Sequence, residues 1–252
     1  MSTVLPMSDS DTPPIPANTS ASTEADIAPF VPPRFRWLRK HPTLIVGLLL
    51  LLAVATLSIA APWIATHDPQ DIDPLARMQP PSAEHWFGTD ALGRDVFSRA
   101  VWGDQVSMIV GASVAVLATG FGIVLGLLAG FVRRIDGFVM RVMDGLMAIP
   151  GILLAIALMA VTRASLTTVI VAITIPEIPR VVRLVRSLAL TLREQLFVEA
   201  AHAVGTRLPT ILWRHVLPNM VAPLIVQSTF VAAAAVLTEA ALSFLGVGVP
   251  AQ

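Results

Sequence analysis

The chain has 252 residues, 55% of them hydrophobic and only 13% charged, with a mean hydropathy of +0.74. So little charge beside so much apolar surface argues for a polytopic membrane protein over a soluble domain. The 17 basic and 17 acidic residues balance, which gives no global bias toward nucleic acid, and the lack of cysteine excludes disulfides, thiolate metal sites and thiol catalysis.

Residues 1–30 hold Asp9, Asp11, Glu24 and Asp26 among Ser, Thr and Pro, with no Lys or Arg. They have neither the basic start nor the apolar run of a signal peptide, and read as a disordered tail, taken to residue 33. A helix needs about 20 apolar residues to cross the hydrocarbon core. Leu44 to Ala61 is charge-free and predicts span one. Residues 66–104 follow, rich in acids and carrying Trp86, Phe87, Phe97 and Trp102, which suit a membrane–water interface. Val106 to Val132 predicts span two. Its Gly122, Gly126 and Gly130 share one face, where a neighbouring backbone packs closely or a substrate route runs.

Span three is predicted over Gly137–Val161, with Pro150 inside and with Arg141 and Asp144 either paired on one helix face or lying near the cytoplasmic interface, snorkelling or bridging to a neighbouring helix. Span four covers Leu166–Leu188 and holds Glu177, Arg180, Pro176 and Pro179. The prolines suit either a helix that flexes or a rigid kink. Arg180, Arg183 and Arg186 share a face, as a phospholipid anchor or a support for the following loop. Span five runs over Leu217–Leu242, with Glu239 near its end.

Basic residues set the orientation. Arg34, Arg36, Arg39 and Lys40 precede span one, Arg133 and Arg134 follow span two, and Arg183, Arg186, Arg193, Arg207 and Arg214 lie between the cores of spans four and five. These sides are cytoplasmic, as is the N-terminus, residues 66–104 are external, and five spans leave Gln252 outside.

Between spans four and five lies a polar helical element. Leu192 to Val204 reads as a helix, with Ala200, Ala201 and Ala203 as a small-residue surface. Gly205 supplies a left-handed helix end, Thr206 caps a second short helix with Pro209 in its first turn, and Pro218 starts span five. Such an element held outside the bilayer contacts a partner, unless it is an ordinary loop. His202 and His215 invite a metal reading, but no third ligand has a completing spacing, and neither a metal nor a cofactor site is expected. No nucleotide-binding or hydrolase motif stands in a convincing context.

At these residues the chain resembles the permease subunits of ATP-binding-cassette importers. Their cytoplasmic signature reads here Glu199-Ala200-Ala201, Gly205, His215 and Leu217-Pro218, with His215 where the broad signature has Ile. His215-Val216-Leu217-Pro218-Asn219 looks like the peptide and nickel branch. Two more segments look like that branch: the run from His85-Trp86-Phe87-Gly88-Thr89-Asp90 to Ser98-Arg99, and Leu242-Ser243-Phe244-Leu245-Gly246-Val247-Gly248. Together they are most similar to its C-type permease, over residues 34–252.

The resemblance implies an all-α, MetI-like helical fold with residues 34–104 as first helix plus extracytoplasmic segment and 105–252 as permease core. It implies a non-enzymatic transport subunit of the bacterial inner membrane that carries peptides or a related solute such as nickel. ATPase coupling would rest on Glu199, Ala200, Ala201, Gly205, His215, Leu217, Pro218 and Asn219. The implied partners are cytoplasmic ATPases that use the ATP, a B-type permease, an extracytoplasmic substrate-binding protein and membrane lipid. Family members have six spans, and the sixth is missing after Pro250-Ala251-Gln252. A non-transporting remnant and an intramembrane enzyme using Arg141, Asp144, Glu177 and histidines are the alternatives.

Overall fold

The computed structural model describes residues 42–162 and 165–248. The expected tail at 1–33, the basic residues Arg34 to Lys40 and the placement of Gln252 lie outside the described residues. Two compact units, Met1–Leu50 and Leu51–Gln252, divide the chain. The described part of the first is the opening of helix α1 (Pro42–Ile64), with Leu48, Leu49 and Leu50 exposed. In the second unit α1 continues through Leu51 and Leu52, also exposed, and turns Ser58 and Ala61 inward. Such a run of bare leucines is stable only against an apolar medium.

Helix α2 (Val96–Phe131) has 36 residues, roughly 54 Å at the α-helical rise. It begins at Val96 and not at the expected Val106, because Asp95 caps it: its carboxylate accepts the Ser98 N–H at 2.8 Å. Asp95 is 2% exposed, and its other oxygen meets His85 Nδ1 at 3.1 Å. Burial pushes the Asp95 carboxyl up, but the Ser98 N–H and O–H, the His85 bond and the charge of His67 outweigh it and hold it below the ordinary value. Asp95→Ala is expected to cost about 1–2 kcal/mol and Asp95→Asn much less. Thermal unfolding of the detergent-purified protein checks this; equal losses for both would show that the cap carries little.

The segment between α1 and α2 is folded without regular elements. The Met78 N–H donates to Asp90 O (3.1 Å) and the Val96 N–H to Gly88 O (3.1 Å). Trp86 and Phe87 pack on Phe97, with ring centroids 4.8 and 5.3 Å apart. The His67 N–H donates to Ser98 Oγ at 3.1 Å, which ties the exit of α1 to the start of α2.

Span three, expected as one helix, is two. Helices α3 (Arg133–Met147) and α4 (Gly151–Val161) meet at 87°. Pro150 has no N–H to continue α3, and its extended backbone makes it the N-cap of α4. Helix α5 (Leu166–Arg193) runs unbroken through Pro176 and Pro179. Arg186 grips Asp136 of α3 by two bonds of 2.5 and 2.6 Å, and Arg183 meets Asp144 at 2.6 Å. Asp144 thus bridges to the neighbouring helix and not to Arg141, and Arg183 and Arg186 brace α3. Arg193 Nη1 donates to Gly130 O (3.1 Å) at the end of α2.

Among the described residues, three helical rods are long and apolar enough to cross a membrane: α1, α2 and Leu208–Phe244. The bent α3–α4 pair makes a fourth if it is one span. Helix α5, expected as span four, has the length to cross, although Glu177, Arg180, Arg183 and Arg186 interrupt its apolar run. It is also the central strut. A Cβ on Gly126 would lie 2.6 Å from Val185 Cβ, and one on Gly122 or Gly130 would overlap Val181 or Ala189. The triple-glycine face is therefore a packing face.

Helix α8 (Leu217–Phe244) closes the core against α2, where Gly111 meets Ala232 and Val236. Its buried Glu239 accepts Ser107 Oγ (3.0 Å) and Ser243 Oγ (2.8 Å), which satisfies a carboxylate that would be costly unpaired. The helix ends in a Schellman motif at Gly246, where the Val247 N–H donates to Leu242 O at 3.0 Å.

Candidate functional site

After Arg193 the chain turns at Glu194-Gln195 into α6 (Leu196–Ala203), so the expected Leu192–Val204 helix is split. Gly205 then ends α6 with φ +76°. The Gly205 N–H donates to His202 O (2.9 Å) and the Thr206 N–H to Ala201 O (3.0 Å), the two bonds of a Schellman stop. A Cβ on Gly205 would meet nothing within 4 Å, so glycine is required here by conformation and not by crowding.

The second helix differs from expectation. Helix α7 (Leu208–Ile211) has Arg207 and not Thr206 at its N-cap, with no side-chain cap bond. It does not stand alone. A π-helical turn, Leu212–Val216, carries it into α8, with the Leu217 N–H reaching back to Leu212 O. Pro218 explains the widened turn. It has no N–H for Arg214 O, and its ring opposes that carbonyl, so an extra residue relieves the clash. Asn219 Nδ2 donates to His215 O at 2.6 Å, which satisfies one carbonyl of the widened turn. Leu208–Phe244 is thus one rod.

Val198, Ala201, Ile211 and Val216 are buried and fasten the element to the core. Ala201 therefore leaves the expected alanine surface, because the period of α6 turns it inward with Val198. Ala200 and Ala203 stay exposed, as do Glu199, Pro218 and Asn219, while His215 and Leu217 are half-buried. Glu199 lies in the first turn of α6, where the helix dipole favours its charge, and among the described residues no side chain pairs with it. Sequence reasoning missed the largest bare surfaces nearby: Leu196 is 81% exposed, Val204 80% and Trp213 76%. Trp213 was detectable, since it lies off the repeat of Ile211, Leu212 and His215. The arrangement is a helical knob that exposes Glu199, Ala200 and Ala203 beside an apolar rim.

A second feature lies among the helices. A cavity of about 310 Å³ is lined by Gly151 and Ile152 of α4, Pro176, Glu177 and Arg180 of α5, and Thr238 of α8. Arg180 reaches Glu177 at 3.4 Å and lies over the Phe230 ring, 5.9 Å from its centroid.

Fold and knob together define an all-helical, multi-pass membrane subunit that presents a fixed helical knob. Residues 122–252 match the family described as binding-protein-dependent transport system inner membrane component. Residues 34–81 match the N-terminal TM domain of oligopeptide transport permease C. The chain is 51% identical over 217 residues, 86% of its length and 74% of the relative's, to a probable peptide ABC transporter permease protein of Sinorhizobium fredii. It is 44% identical over 218 residues (86% and 72%) to a dipeptide transport system permease protein of Alkalihalophilus pseudofirmus. With an oligopeptide transport system permease protein of Bacillus subtilis the identity is 37% over 214 residues (84% and 70%). The chain belongs to this family of inner-membrane permease subunits of ABC transport systems. Members of the family are permeases and not themselves ATPases.

Proposed function

We propose that this chain is the C-type permease of a peptide importer, and that Glu199 to Asn219 docks into a cytoplasmic ATPase. The observation that carries the docking is the join between α7 and α8. Because the π-helical turn makes Leu208–Phe244 a single rod, a push on the knob is transmitted to the helix core without a hinge. The exposed Glu199 supplies an acceptor for basic or amide groups, and Ala200 and Ala203 allow close approach.

In this reading the N-terminus and the knob face the cytoplasm, and the Trp86–Phe97 segment faces a substrate-binding protein outside. A homologous B-type permease completes the pathway, to which the cavity beside Arg180 contributes wall. ATPase closure draws two such knobs together and switches the pathway from inward- to outward-facing, with the peptide chemically unchanged. The names of the relatives support peptides as cargo.

The cysteine-free chain makes a direct test possible. Ala200→Cys, co-expressed with ATPase subunits carrying single groove cysteines, is expected to form a crosslink whose yield changes with ATP. Leu48→Cys on α1 serves as the control and should form none. Crosslinking of Leu48→Cys alone, or of neither, would overturn the assignment.

A further inference from the structure

We propose that the segment between α1 and α2 holds a divalent transition-metal ion, Zn²⁺ or one of its kind, on His67, Glu84 and His85. One ligand atom from each of the three lies within 4.8 Å of the others. Three ligands at about 2.1 Å from a tetrahedral ion are about 3.4 Å apart, so closure requires a contraction of no more than about 1.4 Å. Glu84 is exposed and free to supply that movement.

The hydrogen bonds behind the two imidazoles support the assignment more strongly than the spacing. His85 Nδ1 lies 3.1 Å from Asp95 Oδ1, and His67 Nδ1 lies 3.0 Å from Thr66 Oγ1. Each ring has Nδ1 engaged, and with the proton on Nδ1 the Nε2 lone pair is the one left for a metal. The Asp95–His85 arm is the carboxylate–histidine arrangement that orients imidazoles and raises their basicity at metal centres. Asp95 cannot swing away, because its other oxygen caps α2 through the Ser98 N–H. The two imidazoles are already brought together, with ring centroids 4.7 Å apart.

The three residues border one cleft of about 120 Å³, which Asp68, Asp71 and Asp73 also line. Their charge concentrates cations at its mouth. Two imidazoles and a carboxylate, with no thiolate, suit a borderline ion over a hard one such as Mg²⁺. Three protein ligands leave a fourth position for water. A bound ion would join the exit of α1 to the segment that enters α2, and so clip the whole connection together.

The test uses the full chain, purified in detergent without a histidine tag, stripped with a chelator and titrated with Zn²⁺ alone against a chromophoric competitor. One ion per chain is expected, with X-ray absorption showing two imidazoles at about 2.0–2.1 Å. Glu84→Gln removes an exposed ligand without disturbing packing and is expected to weaken binding at least ~10-fold. His67→Ala is expected to weaken it ~100-fold, within the range such sites show. Zn²⁺ should raise the Tm of the native chain and leave that of Glu84→Gln nearly unmoved. Substoichiometric uptake by the native chain, or undiminished uptake by Glu84→Gln and His67→Ala, would overturn the proposal.

Discussion

Gly205→Val is expected to lower peptide uptake and ATPase co-purification about tenfold while the amount of protein in the membrane stays near normal. Gly205 has φ +76°, where a side chain costs about 1–2 kcal/mol, and valine is the worst case because its β-branch crowds the backbone. The space around it is open, so the penalty cannot be relieved by moving a neighbour. It is relieved by letting φ relax, which breaks the Gly205–His202 and Thr206–Ala201 bonds and tilts α6 away from α7. A docking defect of about 1.4 kcal/mol is a factor of ten in affinity. Gly205→Asn is the matched control, since asparagine tolerates the left-handed region, and it should retain most activity. If valine and asparagine behave alike, with full coupling, the backbone angle at this position does not orient the knob.

Gly126→Leu is expected to have the largest effect on stability. Even a methyl group at this position would press on Val185 at 2.6 Å and on the Val182 carbonyl at 3.0 Å, in the seam between α2 and α5. Overpacking of this kind costs about 1–3 kcal/mol, and here the whole of α5 would have to move, with the α3 ion pairs and the root of α6 attached to it. Membrane yield and Tm should both fall sharply. The same helix supplies the comparison. A Cβ on Gly120 would meet nothing within 4 Å, so Gly120→Leu should leave yield and Tm close to native. Equal losses at the two positions would mean that leucine harms α2 generally and that the α2–α5 seam is not tight.

The knob is legible in part because its signals are local. Gly205 predicts its own backbone angle, since a left-handed residue after an alanine-rich helix depends on neighbours within six positions. Ala201 is misplaced by sequence reasoning because three alanines have no polarity to say which of them faces inward. Their sides are decided by Val198, which the core holds. Thr206 has the side chain of a cap, yet Arg207 takes the position: the Thr210 and Ile211 N–H groups that open α7 donate to Arg207 O.

By itself the sequence determined the class of protein, the apolar rods of α1, α2 and α8, the glycine face of α2 and the stop at Gly205. Each follows from composition, from helical periodicity or from a single backbone requirement, all properties of a short stretch of chain. Only the tertiary structure decided the 87° angle at Pro150, the merger of α7 with α8, the choice of Arg183 over Arg141 as the partner of Asp144, and the gathering of His67, Glu84 and His85. Asp144 had a cation at a pairing distance on its own helix and another 39 residues away. Charge spacing cannot choose between them, because the choice is made by how α3 lies on α5, where Val139 and Met143 pack in one cluster with Val182.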